Sequence, residues 1–533
     1  MTPKGNHFIA GEWNAGNSET SFRAFNPVSL KYLEPEYMDP DSEQVSRSVE
    51  SAQEAFPEYR KLSTERKAHL LESISQSLEQ HASVIQERAC AESGLSEDRI
   101  RFEFMRTVDQ PRRFAKLLQE GSWINARIDT ADLDRQPRPK PDMRTMLQPI
   151  GPVAVFGASN FPLAISVMGT DSVSALAAGC PVIVKGHPAQ PGTCELTAMA
   201  VEEALMECNV SSGVFSLLHG SSHEVGQDLV RHPGLKGVAF TGSLIGGRSL
   251  MDLAASRPVP IPVFAEMGSL NPVFLLPDAL ASRPESIAQG LLQSLTMDAG
   301  QFCTNPGILV ALDSPALDTF VDLLIEKIAG VAPQAMLHKG IYRAYQERLK
   351  SMTEVNGVRV VTSSPDKSSE DNLQAYPFLL ETDFATWMQN SDLQEECFGP
   401  STILIRAQSV EEFHKFATNM NGSLTATLHG TTKDYENHAT LQELLEIHVG
   451  RLVFNGFPTG VEIGHATHHG GPYPATSTQV HTSIGPAAIE RFVRPVCYQN
   501  CPQDQLPDAL KNKNPQNLYR VVDGFPTTED IVG

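Results

Sequence analysis

The segment "DAGQFCTNPG", residues 298–307, carries a side chain capable of covalent chemistry. Cys303 lies between Gly300 and Gly307, beside a hydroxyl and an amide, and the glycines permit close approach of the backbone to another group. A thiolate is a strong nucleophile, but most free cysteines are buried and inert. The segment alone therefore favours a small packing residue, and the rest of the chain must decide between the two interpretations.

Polar residues follow several short apolar runs between residues 150 and 267. The runs are "GPVAVFG", "PVIVKG", "GVFSLLHG", "GVAFTGS" and "PVFAEMG", and helical stretches such as "GTCELTAMAVEEALMEC" separate most of them. This alternation predicts a parallel sheet covered on both faces, with ligands bound at the carboxyl ends of its strands. Those ends carry Asn160, Lys185, His187, Thr241, Gly242, Ser243 and Glu266. The fingerprint G-x-G-x-x-G is absent, so a conventional phosphate loop is not supported.

Other elements flank this sheet. Residues 43–120 have helical periodicity, and "DSEQVSRSVESAQEAF" opens with an Asp/Ser cap and an acidic first turn. A second α/β segment, from 270 to about 450, contains the strand-like runs "NPVFLLP", "GILVAL", "TILIRA" and "GRLVFNGFP". The three prolines and alternating charges of residues 127–146 predict an exposed arm. The polar tail from about residue 500 is expected to wrap the surface or a partner subunit.

Composition excludes several classes of partner. A chain of 533 residues is too long for a single hydrophobic core, so two or more domains are expected. The net charge of -21 disfavours nonspecific binding to nucleic acid or to an anionic membrane. An anionic substrate would need a local positive group. The sequence shows neither a secretory h-region nor an apolar run of membrane-spanning length. Eight scattered cysteines predict reduced thiols in the cytoplasm.

Neither of two patterns that could hold a metal supports a site. Cys497 and Cys501 have the spacing C-x3-C without a second pair nearby, which makes zinc binding unfavourable. The histidines of "HATHHGG" (His465, His468 and His469) lie among glycines without helical or strand periodicity, which favours a plain loop. We therefore expect no metal.

At "FGASNFPLA", "VIVKGHPA", "FTGSLIGGR", "FAEMGSLNP", "GQFCTNPG" and "EECFGP" the chain resembles the aldehyde dehydrogenase superfamily, in order and spacing. "VKGHPAQPGT", "NGFPTGVE", "HGGPYPATS" and "RPVCYQN" are similar to the α-ketoglutarate semialdehyde (2,5-dioxopentanoate) dehydrogenase branch, which a bacterial NADP-dependent fatty aldehyde dehydrogenase also resembles. The resemblance implies an α/β fold with a Rossmann-type cofactor domain (1–126 and 147–266) and an α/β catalytic domain (267–478). It also implies an oligomerisation arm (127–146 and 479–500), followed by a C-terminal tail (501–533), and a homodimer or homotetramer.

The resemblance also implies NAD(P)-dependent aldehyde oxidation through a cysteine thioester. Cys303 would be the nucleophile, while the Asn160 amide and the Cys303 N–H would stabilise the oxyanion. Glu266 would activate the hydrolytic water, and an apolar tunnel is expected to raise its pKa. Taken singly, Asn160 could cap a helix and Glu266 could be a turn residue.

Cofactor residues carry over in the same way. Lys185 matches a lysine at the adenosine ribose, Ser243 a residue near the pyrophosphate, Glu396 the glutamate of the nicotinamide ribose and Phe398 the aromatic beside the ring. Gly242 and Gly247 would permit close backbone approach. NAD-preferring relatives often have a glutamate where this chain has Pro188, which leaves Lys185 and His187 to face a 2′-phosphate. We therefore expect NADP to be accepted at least as well as NAD.

The substrate end is less constrained by the sequence. Family patterns often have tryptophan where Ser159 stands, and Phe302 precedes the nucleophile, so the tunnel is reshaped. Arg106 and Gln110 share one helical face, and the resemblance implies that their helix lines the tunnel, where Arg106 could anchor a carboxylate and Gln110 could assist. The alternative is an arginine at the surface or in a salt bridge, for example with Glu103. Oxidation of aliphatic or fatty aldehydes, and a cofactor-independent cysteine hydrolase or thioesterase, are the competing functions.

Overall fold

The helical pattern near the amino terminus forms helices in the structure, a computed structural model that describes residues 1–363 and 372–532. Asp41 caps the first helix in a capping box with Gln44, and Gly94 ends the third at φ 70°, as predicted. The first elements are β1 (Asn6–Ile9), β2 (Glu12–Ala15), β3 (Ser21–Asn26), β4 (Lys31–Met38), α1 (Ser42–Tyr59), α2 (Thr64–Gln80), α3 (Ala82–Ser93) and α4 (Glu97–Glu120).

The predicted parallel sheet follows along the chain. The elements are β5 (Ala126–Asp129), β6 (Met143–Pro149), β7 (Val153–Phe156), α5 (Thr170–Ala178), β8 (Val182–Lys185), α6 (Pro191–Glu207), β9 (Phe215–Leu218), α7 (His223–Arg231), β10 (Gly237–Thr241), α8 (Leu244–Ala255) and β11 (Val263–Glu266). The strand order is β11-β10-β7-β8-β9-β1-β2; the first five strands are parallel, and β1 and β2 extend the sheet beyond β9 in antiparallel pairing. Register places Thr241 opposite Glu266 and Phe156 opposite Lys185, so their strands end at one edge.

A second sheet has the order β15-β17-β18-β13-β12-β19-β20, and apolar clusters cover both faces. Cys303 lies between its helix α10 and strand β13. The elements are β12 (Val273–Leu275), α9 (Pro277–Ser282), α10 (Pro284–Thr296), β13 (Ile308–Leu312), α11 (Pro315–Ala329), β14 (Gln334–Ala335), α12 (Lys339–Glu354), β15 (Arg359–Ser363), β16 (Gln374–Ala375), β17 (Phe378–Asp383), α13 (Phe384–Gln389), β18 (Ser401–Ala407), α14 (Val410–Asn419), β19 (Ser423–His429), α15 (Thr432–Asn437), α16 (Ala439–Glu446) and β20 (Val449–Phe454).

The arm and the carboxyl-terminal residues form a third sheet. Its strands β21 (Val493–Gln499), β22 (Arg520–Val522) and β23 (Phe525–Thr527) join β5 and β6 in the order β21-β6-β5-β22-β23. The fully buried Arg520 donates to the carbonyls of Lys511, Asn512 and Glu529. Residues beyond 500 therefore pack on the arm of their own chain. No helix within 1–363 and 372–532 is long and apolar enough to cross a membrane.

Candidate active site

A strained turn carries Cys303 out of helix α10. Asp298, Ala299 and Gly300 have φ values of 46°, 55° and 67°, in the left-handed region that L-residues with side chains rarely adopt. A Cβ on Gly300 would lie 2.5 Å from the Gly399 backbone, so only glycine fits there. Arg99 Nε holds the Asp298 carboxylate at 2.7 Å. Contacts with Gly399 and Arg99 therefore hold the turn in place, and the turn sets the position of the segment that carries Cys303.

Cys303, Glu266 and His469 converge on one point. His469 Nε2 lies 3.4 Å from Cys303 Sγ and 3.0 Å from Glu266 Oε1. The Ser483 hydroxyl donates to the other Glu266 oxygen. Glu266 comes from the end of β11, whereas His469 and Ser483 come from the segment after β20. The structure therefore places the predicted nucleophile and base together, and adds a histidine.

The segment "HATHHGG" is a loop, as predicted, but the sequence interpretation missed that this loop carries His469 to Cys303 and Glu266. The His469 amide donates to Thr482 Oγ1 at 2.8 Å and its carbonyl accepts from Ser483 N at 2.8 Å, which aims the ring at Cys303. Periodicity could not reveal this, because 166 residues separate His469 from Cys303. The following glycine pair was the available signal: a Cβ on Gly471 would lie 2.3 Å from the Ser423 carbonyl, which indicates close packing of this loop.

The pKa values of the two predicted catalytic groups diverge. Burial raises the pKa of the Cys303 thiol well above its usual range, and the negative charge of Glu266 and its hydrogen bond with the thiol raise it further. Burial also acts to raise the pKa of Glu266, but the charge and hydrogen bond of His469 and the hydrogen bonds of Ser483 and Cys303 outweigh burial and lower it. The predicted rise for Glu266 was wrong, because its partners stabilise the carboxylate.

Asn160 lies beside the nucleophile turn. Its Nδ2 donates to the Gln301 carbonyl at 3.1 Å, and the Gln301 side chain in turn accepts from Leu337 N and donates to the Asp298 carbonyl. One of the two Asn160 N–H groups is thereby anchored, which orients the amide next to Cys303. This is the setting that an oxyanion donor requires.

Arg106 is a half-buried cation on α4 whose Nε and Nη2 atoms are buried and have no hydrogen-bond partner among the described residues. It does not pair with Glu103, because that carboxylate accepts from Arg99, Leu163 N and Ala164 N. Burial lowers the pKa of Arg106, while the charges of Glu103, Cys303 and Glu266 act in the opposite direction. Arg106 therefore lies within electrostatic range of the nucleophile.

Aromatic rings line the same region. Phe161 and Phe302 meet edge to face with ring centroids 5.5 Å apart, and Phe302 is buried. The guanidinium of Arg99 lies 4.6 Å from the Phe161 centroid, and that of Arg106 lies 5.7 Å from it. Two aromatic rings therefore lie in this region, and two guanidinium groups lie next to the Phe161 ring.

Gln110 does not fit the role expected for it. Its carbonyl oxygen accepts from the Thr170 hydroxyl, and its Nε2 donates to the Ala164 carbonyl at 3.3 Å. Both ends of the amide thus join α4 to the segment leading into α5. We therefore leave Gln110 out of the substrate site.

The predicted cofactor residues gather at the carboxyl edge of the first sheet. Lys185 Nζ donates to the Gly220 carbonyl at 2.5 Å, and burial lowers the pKa of Lys185 to about 8. Burial lowers the pKa of His187 well below its usual range, so the ring is neutral near pH 7. Its Nδ1 accepts from Ala189 N at 3.2 Å, which leaves the proton on Nε2. Pro188, which follows His187 and is half-buried, brings no carboxylate.

The amino end of α8 provides a cradle at this edge. Ser243 caps the helix by accepting from Gly246 N, and a Cβ on Gly247 would lie 2.5 Å from the Met267 sulfur. A Cβ on Gly242 would lie 2.6 Å from the Phe240 ring, so that glycine is also required by packing. Free N–H groups and the dipole at a helix amino terminus favour phosphate. These residues fit a dinucleotide pyrophosphate.

Glu396 and Phe398 lie in the loop before β18, and Glu396 is close to the residues that follow Glu266. A Cβ on Gly268, two residues after Glu266, would come within 2.9 Å of the Glu396 carboxylate. Burial raises the pKa of Glu396 to about 8, the Glu266 charge raises it too, and a hydrogen bond from the Ser269 backbone opposes both. Phe398 is half-buried next to it. A carboxylate at this place can accept hydrogen bonds from ribose hydroxyls.

Comparison with known proteins decides the family. The family model described as "Aldehyde dehydrogenase family" matches residues 13–493. The chain belongs to the aldehyde dehydrogenase family. Within this family, it is 42% identical over 526 residues to a protein named "Alpha-ketoglutaric semialdehyde dehydrogenase" from Acinetobacter baylyi, covering 98% of this chain and 99% of that protein. It is also 42% identical to "Alpha-ketoglutaric semialdehyde dehydrogenase 2" from Azospirillum brasilense, with 98% and 99% covered.

Solved aldehyde dehydrogenase structures share the fold. An NAD+ complex of an aldehyde dehydrogenase from Bacillus cereus superposes with a TM-score of 0.79 at 20% identity, covering 93% of this chain and 96% of that chain. A betaine aldehyde dehydrogenase from Staphylococcus aureus, also with NAD+, gives 0.78 at 19% identity, covering 94% and 97%. The predicted aldehyde dehydrogenase fold is confirmed.

Proposed function

We propose that this aldehyde dehydrogenase oxidises α-ketoglutarate semialdehyde to 2-oxoglutarate, with NAD or NADP, through a thioester on Cys303. The observation that carries the proposal is Arg106, a buried guanidinium with two unpaired nitrogens near the nucleophile. A buried unpaired charge is costly, and a planar fork of N–H donors matches a substrate carboxylate. The relatives named for this semialdehyde support the same substrate.

Acylation begins with removal of the thiol proton. Glu266 and His469 are the acceptors within reach, and Glu266 is ionised because its partners lower its pKa. The thiolate adds to the aldehyde carbon, and the Asn160 amide together with the Cys303 N–H stabilises the oxyanion. Collapse of the oxyanion expels hydride from this carbon and leaves a thioester on Cys303. A nicotinamide bound at the cofactor residues would supply the acceptor for that hydride.

Deacylation uses the same carboxylate. Glu266 accepts a proton from water as the water oxygen attacks the thioester carbon, and Cys303 leaves as a thiolate. The contacts with His469 and Ser483 keep Glu266 oriented and charged between turnovers. Phe161 and Phe302 limit the entry of bulk water from the tunnel side. The acid product carries a second carboxylate into a site rich in negative charge, which favours its release.

For the cofactor, we infer that NADP is accepted at least as well as NAD. Pro188 adds no negative charge beside the adenosine ribose, and Lys185 together with the Nε2–H of His187 would hold a 2′-phosphate. Pro188→Glu should shift preference toward NAD, since a carboxylate repels that phosphate. A kcat/KM for NAD more than about tenfold above that for NADP in the unmodified enzyme, about 1.4 kcal/mol, would contradict the inference.

We further infer a homodimer or a homotetramer built through the arm, with residues 1–126 and 147–266 as the cofactor domain and 267–478 as the catalytic domain. A cytoplasmic location stays a prediction, supported by eight free cysteines.

The substrate proposal is tested by kinetics on α-ketoglutarate semialdehyde and hexanal. Removing one member of a buried charge pair costs about 2–5 kcal/mol. Arg106→Ala should therefore raise KM for the semialdehyde acid by about tenfold or more and leave hexanal oxidation nearly unchanged. Arg101→Ala is the matched control, because Arg101 lies on the same helix with an exposed side chain. Equal losses on both substrates would indicate a structural role, and no loss would place Arg106 outside the site.

A further inference from the structure

The three groups at the catalytic point also form a set of metal ligands. Single ligand atoms of Cys303, His469 and Glu266 all lie within 4.8 Å of one another, and no other such group of His, Cys, Asp and Glu occurs in residues 1–363 and 372–532. Thiolate, imidazole and carboxylate are the donors that zinc takes in proteins. We propose that this cluster binds Zn²⁺, or another borderline divalent cation, and that the bound cation blocks the enzyme reversibly.

The spacing of the donors supports the proposal. Zinc binds sulfur at about 2.3 Å and nitrogen or oxygen at about 2.0–2.2 Å, so tetrahedral angles place S and N about 3.6 Å apart and N and O about 3.3 Å apart. Cys303 Sγ and His469 Nε2 are 3.4 Å apart, and His469 Nε2 and Glu266 Oε1 are 3.0 Å apart. Both pairs that include His469 are therefore within a few tenths of an ångström of the tetrahedral spacing, and the third pair, Cys303 Sγ and the Glu266 oxygen, lies within 4.8 Å.

Contacts behind the ligands hold them in place. The Ser483 hydroxyl binds the second Glu266 oxygen, and the His469 backbone is fixed by Thr482 and Ser483. Outer contacts of this kind orient ligands and strengthen metal binding. Water would supply the fourth ligand, as it does where a protein offers three. The protein thus holds the three donors close together before any ion arrives.

Binding is balanced by loss of protons. The ion takes the place of the thiol proton of Cys303 and of the Nε2 proton through which His469 contacts Glu266. The displaced protons leave to solvent, and the bound imidazole carries its proton on Nδ1. No electron is transferred. Because binding displaces protons, the ion should bind more tightly as pH rises.

The consequence for catalysis is inhibition. The ion occupies the sulfur, the carboxylate and the imidazole that the proposed reaction needs free. It should therefore compete with the aldehyde. This consequence rests on the proposed function, whereas binding itself does not. Binding is therefore measured first, on the full chain without cofactor or substrate, using Co²⁺ as a spectroscopic substitute for Zn²⁺.

Co²⁺ added to the protein should give a thiolate-to-cobalt charge-transfer band and the intense visible bands of a tetrahedral site, and Zn²⁺ should abolish both. Loss of outer partners costs about 10–100-fold in metal affinity, so Ser483→Ala, which keeps all three ligands, should weaken Co²⁺ binding by about tenfold or more. His469→Ala removes a ligand itself and should weaken binding further. Circular dichroism of each variant checks that the chain is folded.

His468→Ala is the matched control, since His468 is adjacent in sequence but outside the cluster. Cys497→Ser and Cys501→Ser remove the other closely spaced thiols. All three should keep the bands and the affinity. The proposal is overturned if the bands are absent, if they survive unchanged in folded His469→Ala, or if they require Cys497 or Cys501.

Inhibition is tested separately by initial rates with Zn²⁺. The expected pattern is competition with the aldehyde, reversal by a chelator, and a weaker effect in Ser483→Ala than in His468→Ala. Metal binding without inhibition would show that the cation does not compete for the reacting groups, and would overturn the inhibitory part. Absence of aldehyde oxidation with cobalt bands intact would instead contradict the proposed function alone.

Discussion

His469 Nε2 and Glu266 Oε1 lie 3.0 Å apart, and their side chains are 1% and 3% exposed. A buried carboxylate without such a partner would favour its protonated form. The pair therefore keeps the proposed base charged in a place where burial opposes charge. Because the same Nε2 also faces Cys303, a change at His469 should reach both halves of the reaction.

His469→Asn should move the acid limb of the deacylation rate to higher pH. His469 lowers the pKa of Glu266 through its charge and hydrogen bond, so its removal lets burial raise that pKa. The carboxylate then becomes protonated at a higher pH, and the base is lost earlier on acidification. Stopped-flow turnover of the thioester across pH measures this shift. His468→Asn should leave the limb in place, and an unmoved limb in His469→Asn would exclude this role.

Glu266→Gln should change thiol reactivity and hydrolysis in opposite directions. Its charge and hydrogen bond raise the pKa of Cys303, so the neutral amide should increase the thiolate fraction and speed alkylation by iodoacetamide at pH 7. Thioester hydrolysis should slow, giving a burst of reduced cofactor and then slow turnover. Slower alkylation would mean that Glu266 acts on the thiol mainly as its base. Cys303→Ala, which should abolish oxidation, provides the background rate.

Much of the fold was predictable, because apolar strands and capped helices carry local signals. The runs assigned to strands around residues 153–156, 182–185 and 308–312 are strands in the structure. The first two strands were missed: β1 and β2 extend the sheet from its distant edge, through pairing with β9 that no local pattern encodes. Residues near 520 were also missed, since β22 pairs with β5 almost 400 residues earlier.

At the site, sequence motifs predicted which residues carry the chemistry, but they did not predict the neighbouring side chains that set the pKa values. Cys303 and Glu266 come together as predicted, but the direction of the Glu266 pKa depends on His469 and Ser483, which arrive from a loop without periodicity. The family resemblance predicted that the helix of Arg106 lines the tunnel, and helical spacing predicted only that Arg106 and Gln110 share one face. The unpaired nitrogens of Arg106 became evident only when Glu103 was found engaged with Arg99. Contacts with residues distant in the sequence therefore determine which donor and acceptor atoms of a side chain remain free for a ligand.

Glu396→Gln should stabilise the free protein at alkaline pH. The carboxyl has its pKa raised from 4.5 to about 8 in the folded chain, so the folded state holds a proton that the unfolded state has released. Stability is then lost as pH rises from about 4.5 to about 8, at about 1.4 kcal/mol for each pKa unit at most. The Tm of Glu396→Gln minus that of the unmodified protein should grow between pH 5 and pH 9. A difference independent of pH would show that the carboxyl has an ordinary pKa.

Two sheets have an edge strand with one open side, which favours assembly with another chain. In the described chain, β21 pairs with β6 on one side only, and β20 pairs with β19 on one side only. Long unpaired edges such as these readily pair with another chain. We expect a homodimer or a homotetramer by light scattering at micromolar concentration.

The exposed Cys497 of β21 offers a test, because a partner strand there would shield its thiol. Alkylation of Cys497 should be slower in the intact oligomer than in protein dissociated by dilution. Cys497→Asp should weaken the oligomer while far-ultraviolet circular dichroism stays unchanged. A monomer at micromolar concentration would contradict the proposed assembly, and an oligomer with freely reactive Cys497 would move the interface away from β21.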